Sequence, residues 1–423
     1  MKHYILTLLC ALLCLSCSDK DETTILPDPP APPTPPAHCE RTVLIYCVAQ
    51  NDLGISTWRS DSTEIARGAQ YMSEDDCLLV YVDKAQLPRI YLFTSQIKGQ
   101  LVYQYPDDYY STNPEQLGSV IEYMVQHYPA NEYGLVCWSH SDGWIPSSNT
   151  NYTMSPMSFG IDVGPTGNMN TNLDANGKVG SQMNINEMAA AIENTGIHFR
   201  YIFFDSCLMQ CIETCYDLRH ATDYVIGSPM PIPYDGAYYT NMVRKGLFSD
   251  SIEHIVDTYY EDVTTMRSTY DDYGLVISSV KTDGLEELAD AVKNALANVD
   301  WENNYPDMQS VDAYYRYLYS YFYRPHYYDL KSSIKHLCAE ADYETVCKVL
   351  DKVVTNYKAT SRFWVGPYNS DYATINTELC CGISMFVPQA AYNRNESLCD
   401  FGNHNENFKL TEWAQAIGKN EPN

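Results

Sequence analysis

The chain has 423 residues, 45% of them hydrophobic and 19% charged, enough to bury one large core with an appended region. Its net charge of −27 argues against a nucleic-acid partner, because phosphate binding needs clustered Lys and Arg. An acidic surface steers basic substrates towards it and also favours solubility outside the cell.

In chain order, Met1-Lys-His-Tyr4 gives a short basic start, and residues 5–15 an apolar run of export-leader length, too short to span a bilayer as a helix. The run ends Leu15-Ser16-Cys17, followed by Ser18-Asp-Lys-Asp-Glu22. A small residue before a cysteine resembles the bacterial lipobox, which makes Cys17 the expected lipidation site and residues 1–17 the lipoprotein leader. Residues 18–38 form a Pro-rich linker, extended and semi-rigid, that holds the body away from a membrane. The expected location is therefore an exported, lipid-anchored protein of a bacterial cell envelope, at the outer membrane or cell surface.

The body divides into residues 39–245 and a C-terminal region, 246–423. Residues 42–49, 77–83 and 89–94 read as buried strands, with a helix to about Met72 between the first two. A helix follows Pro114, with Leu117, Val120, Ile121, Met124 and Val125 on its apolar face. Next come a strand ending at His140, a polar insert from Ile145 to Met183 without periodicity, a helix over 186–193, a strand ending near Cys207 with its own helix, and a strand at 224–228. Near-continuous apolar strands alternating with helices predict an α/β fold, a mainly parallel sheet covered on both faces. The C-terminal region reads as mostly helical. Its tyrosine-rich stretch 314–328 suggests an amphipathic helix docked on the body, and residues 382–388 a late strand returning to the main sheet.

Two strands end on residues capable of covalent chemistry: Tyr133-Gly-Leu-Val-Cys-Trp-Ser-His140 and Tyr201-Ile-Phe-Phe-Asp-Ser-Cys207. In open α/β sheets ligands bind beyond the carboxyl ends of the strands. A cysteine there, at a strand-to-helix junction, gains acidity from the helix dipole, and an imidazole supplies the base. The order, histidine upstream of cysteine, is like that of caspases and unlike that of papain. Amides at Ser141 and Cys207 offer an oxyanion site. Cys207, Cys211 and Cys215, spaced along one helix face, lack the CxxC pair or nearby histidine of a zinc site. A glycosidase would need a carboxylate pair, and no spacing singles one out.

Four separated motifs carry a family resemblance: Val48-Ala-Gln-Asn-Asp-Leu53, Leu135-Val-Cys-Trp-Ser-His-Ser-Asp-Gly-Trp144, Phe204-Asp-Ser-Cys-Leu-Met209, and Gly382-Ile-Ser-Met-Phe-Val-Pro388 before Thr411-Glu-Trp-Ala414. Together the chain resembles the clostripain family of cysteine peptidases, in the clan of caspases, legumain and gingipains. The resemblance implies a caspase-like fold, a Cys207–His140 dyad, and hydrolysis of protein or peptide substrates after Arg or Lys. It implies pocket acids for the basic side chain at Asp205 and Asp235, and self-cleavage in the insert, where Lys178 is the only basic residue. No cofactor is implied, apart from the calcium that some relatives need; Asp162, Asp174 and Asn176 would offer oxygens. Two departures stand out: Ser141 replaces the glycine usual after the histidine, and Gly227-Ser-Pro-Met-Pro-Ile-Pro233 replaces a more acidic loop. They support an alternative, a catalytically impaired surface lipoprotein of the same fold that acts as a binding module.

Overall fold

The computed structural model describes residues 35–145, 158–265, 274–300, 305–319, 322–365, 372–389, 392 and 404–420. The leader with Cys17, most of the linker, and residues 146–157 of the insert lie outside the described residues. Strands β1 (Cys39–Val48), β2 (Asp76–Lys84), β3 (Gln86–Phe93), β4 (Lys98–Gln104) and β5 (Ala130–Trp138) begin the chain, with helices α1 (Asp52–Ser56), α2 (Trp58–Ala69) and α3 (Pro114–His127) between them. The insert holds β6 (Phe159–Asp162) and β7 (Ser181–Met183), and α4 (Ile185–Asn194) leads into β8 (Tyr201–Asp205), α5 (Ile212–Asp217) and β9 (Tyr224–Gly227). The later strands are β10 (Val276–Lys281), β11 (Ala313–Tyr319), β12 (Phe322–Asp329), β13 (Val354–Ala359), β14 (Arg362–Trp364), β15 (Tyr372–Thr374) and β16 (Ser384–Met385).

Among the described residues the main sheet has nine strands in the order β13-β10-β9-β8-β5-β1-β2-β3-β4. Its centre, β9-β8-β5-β1-β2, is parallel, and the strands at both edges are antiparallel. The period of two along a strand explains the two cores. From β1, Leu44, Tyr46 and Val48 face the side covered by α3 and α4, with Leu117, Ile121, Met188 and Ile192. Val43, Ile45 and Cys47 face the other side, with Ile65, Ala69, Ile255 and Tyr259. Both faces are buried, so the central strands read as unbroken apolar runs.

Several expectations are corrected. Residues 314–328 form the β11–β12 hairpin and not a helix. Tyrosine favours strands, and Pro325 inside the stretch has no N–H for a helical bond. The late strand does not return to the main sheet: β16 pairs with β12 and bridges Cys211 beside the second strand end. It is apolar because Ile383, Met385, Phe386 and Val387 are all buried there. Instead β10 and β13 from the 246–423 region extend the main sheet, so the sheet crosses the 245/246 boundary. Within the insert, β6 and β7 pair with each other.

Candidate active site

Register sets the site. Strands β5 and β8 are parallel neighbours, with Trp138 opposite Asp205. His140 and Cys207 each lie two residues further on, at equivalent positions beyond adjacent strand ends. Ser141 Oγ donates to the Cys207 carbonyl at 2.6 Å and ties the two loops together. The His140 side chain is 26% exposed, and Cys207 is partly exposed. Both can meet a substrate arriving over the strand ends.

The helix-dipole expectation fails. Helix α5 starts at Ile212 with Cys211 as its N-cap, beyond reach of Cys207, because the dipole acts only within the first turn. The three cysteines therefore do not share a helix face; Cys211 Sγ contacts Thr214 Oγ1 at 3.1 Å. Burial pushes the Cys207 thiol up to about 12, helped by Asp142 and Asp205 and opposed by the Ile232 amide. At rest it is a thiol, so attack on a carbonyl requires a base.

The loop after β5 is built to be rigid. Gly160 N donates to His140 O at 2.9 Å and Asp142 N to Ser158 O at 3.0 Å. In that antiparallel pattern Ser141 faces Phe159 without exchanging bonds, which turns its own N–H away from the insert. Positive φ among the described non-glycine residues occurs only at Asn172 and Leu208, so Ser141 needs no glycine-only conformation. Gly143 takes that role at φ +66, where a Cβ would stand 2.8 Å from the Leu208 carbonyl. The Tyr327 hydroxyl donates to the Asp142 carbonyl, so the β11–β12 hairpin supports this loop from behind.

The expected pocket acids differ in setting. Asp205 is buried and accepts from Ala237 N at 3.0 Å and Tyr239 Oη at 2.9 Å. It fixes the turn 233–239, which presents the partly exposed Asp235. Lys178 is exposed on a tight turn in which Asp174 accepts from Asn176 N at 2.8 Å and Lys178 N at 2.9 Å. The calcium candidates do not form a ligand cradle. Asp162 is buried against Asp83, the Asp174 carboxylate is used by its own turn, and no three His, Cys, Asp or Glu side chains cluster as ligands among the described residues.

Sequence reasoning missed the partner of His140. Its Nε2 lies 2.6 Å from Asp52 Oδ1, at the start of α1 just past β1. Asn172, from the insert, clasps Asp52 twice, with Nδ2 to Oδ1 and Asp52 N to Asn172 Oδ1, each at 3.0 Å. Burial raises the Asp52 carboxyl, but the hydrogen bond and charge of His140, with Asn172, outweigh it and hold it below the usual range. Neighbouring Asn51 anchors the same exit, donating to Val48 O and Ile161 O, both at 2.8 Å, and to Ser139 Oγ at 3.2 Å. Thus the motif Val48-Ala-Gln-Asn-Asp-Leu53 brings the ends of β1, β5 and β6 together.

Comparison with known proteins decides the family. The clostripain family model matches residues 45–419. The chain belongs to the clostripain family. It is accordingly a cysteine peptidase, acting on protein or peptide substrates. No curated protein matches it by sequence. Among solved structures it is similar to a secreted C11 cysteine protease from Bacteroides thetaiotaomicron bound to an irreversible peptide inhibitor, with 25% identity, TM-score 0.71, and coverage of 90% of this chain and 99% of that one. It is also similar to an inactive zymogen C11 protease from Parabacteroides distasonis, with 25% identity, TM-score 0.69, and coverage of 91% and 99%. A further Bacteroides thetaiotaomicron C11 protease, at 22% identity and TM-score 0.72 over 91% of this chain and 100% of that one, shares the fold.

Proposed function

We propose that this clostripain-family peptidase is an endopeptidase that cuts after Arg or Lys, with Cys207 as nucleophile and His140 as base. The observation that carries the reading is the register of β5 and β8, which sets the two side chains at matching positions beyond adjacent strand ends. On substrate binding His140 takes the Sγ proton, and the thiolate adds to the scissile carbonyl. The amides of Ser141 and Cys207 stabilise the oxyanion. Collapse transfers the His140 proton to the leaving amine and leaves an acyl-enzyme, which water hydrolyses. Asp235, on the turn fixed by Asp205, supports basic specificity through a charge-assisted contact, as does the net charge of −27.

The exposed turn at Lys178 is the proposed self-processing site, consistent with the zymogen form of one similar structure. Export and anchoring through lipidated Cys17 are supported by the leader motif, and a similar protease is described as secreted. Among the described residues no helix is long and apolar enough to cross a membrane. The test is cleavage of Arg- and Lys-terminated peptide reporters by the purified protein and by Cys207→Ala. Absence of cleavage, together with no labelling of Cys207 by a basic thiol-reactive probe, rejects the reading. Intact mass after storage checks Lys178: a chain that never shortens rules out processing there.

A further inference from the structure

Resting on the peptidase reading, we propose that Asp52 is the positioning residue of the base and that Asn172 makes its hold on His140 depend on the insert. An imidazole must offer one nitrogen as an unprotonated acceptor, so its proton must be kept on the other. The Nε2–Asp52 contact at 2.6 Å does this: Nε2–H donates to the carboxylate, and the Nδ1 lone pair is left for the thiol proton. Once His140 has accepted that proton, the carboxylate stabilises the imidazolium.

Asp52 stands at the first turn of α1 and is partly exposed, so alone it has freedom to rotate away. Asn172 removes that freedom by a two-bond ring. It comes from the insert, at φ +56, a left-handed conformation that asparagine and glycine tolerate. Its carbonyl accepts from Gly180 N at 3.0 Å, which closes the turn that carries Lys178. The same residue thus joins the turn that carries Lys178 to the carboxylate that holds the base. The insert helps to orient His140 as well as carrying the proposed processing turn.

The experiment compares Asp52→Ala, Asp52→Asn and Asn172→Gly with the wild type. Asn172→Gly keeps the φ +56 backbone and deletes only the clasp. For Asp52→Ala the expected loss in kcat is roughly 10²-fold, within the range general-base catalysis contributes, with KM changed less than about twofold. Asn172→Gly should lose roughly 3- to 10-fold in kcat, since it loosens an orienting group without removing it. Asp52→Asn should shift the ring proton from Nε2 to Nδ1, read by ¹⁵N NMR of the His140 ring in the uncleaved Cys207→Ala background. The NMR arm does not depend on turnover, so it decides the Asp52 role even if the wild type cleaves none of the reporters. Wild-type kcat in Asp52→Ala, or a His140 tautomer indifferent to Asp52, overturns the proposal. Unchanged kcat in Asn172→Gly removes the link to the insert.

Discussion

Replacing Asp83 by Asn probes a buried carboxyl pair formed by β2 and β6. Asp83 in β2 and Asp162 in β6 are both fully buried, and a charge on one raises the other's cost of ionising, so one proton held between them is the expected resting state. Burial and the Asp162 charge push the Asp83 carboxyl up to about 10, and Asp162, pushed by burial to about 6, accepts its hydrogen bond. Ser111 donates to both, with Oγ to Asp83 Oδ2 at 2.5 Å and N to Asp162 Oδ2 at 2.6 Å. An unfolded aspartate titrates near pH ~3.9, so from about pH 4 to 10 the folded chain holds a proton that the unfolded chain has lost. The contribution of this group is complete below about pH 4 and falls by about 1.4 kcal/mol per pH unit as the pH rises towards the folded value. At pH 7 the accumulated loss is about 4 kcal/mol. Asn donates an N–H to Asp162 and accepts from Ser111 with no proton to take up. Asp83→Asn should therefore be more stable than the wild type at pH 8, by on the order of 2–4 kcal/mol, and show no gain at pH 4. Urea unfolding at intervals from pH 4 to 8 reads the effect as a slope reduced by one proton. A variant that keeps the wild-type slope, or is less stable at pH 8, would refute the shared proton.

Three further outcomes follow from local geometry. Gly236→Ala puts a Cβ 2.7 Å from Asp205 Oδ1 at φ +56; it should cost about 1–3 kcal/mol in thermal unfolding and raise KM for basic reporters as the turn bearing Asp235 shifts. Ser141→Ala removes the 2.6 Å bond to the Cys207 carbonyl, worth about 1 kcal/mol, and should lower kcat roughly fivefold in steady-state assays while the fold persists by circular dichroism. Cys39 and Cys77 Sγ atoms lie 2.9 Å apart, so a diamide-type oxidant should join them; peptide mapping under non-reducing conditions should find the two cysteines in one cross-linked fragment, absent in Cys77→Ser.

The central strands were legible because burial on both faces leaves an unbroken apolar run, and β1, β2, β5 and β8 all show it. His140 and Cys207 were legible for the same reason, each lying two residues beyond the end of such a strand. The tyrosine hairpin is not legible locally because a dense aromatic stretch satisfies either periodicity; the outcome rests on long-range partners such as the Tyr314 hydroxyl on Asp329, at 2.6 Å. Helix α5 starts only at Ile212, although Leu208-Met-Gln-Cys211 looks helical locally. In fact Leu208 turns at φ +63, and Gln210 is held between two distant segments, its N donating to Ser228 O at 3.1 Å and its O accepting from Ser384 N at 3.0 Å.

The partner of the base was the hardest feature to read, for a physical reason. Its three residues come from three segments: Asp52 follows β1, His140 follows β5, and Asn172 lies in an insert without periodicity. Nothing in local spacing distinguishes Asp52 from any acid in the first turn of a short helix, where a carboxylate already serves the dipole. Only the parallel order β8-β5-β1 brings the exit of β1 beside the exit of β5, with Cys207 on the far side of the histidine. The same strand order that sets nucleophile against base therefore also sets an acid behind the base. A sheet in which β1 and β5 were not neighbours would keep every motif and lose the arrangement.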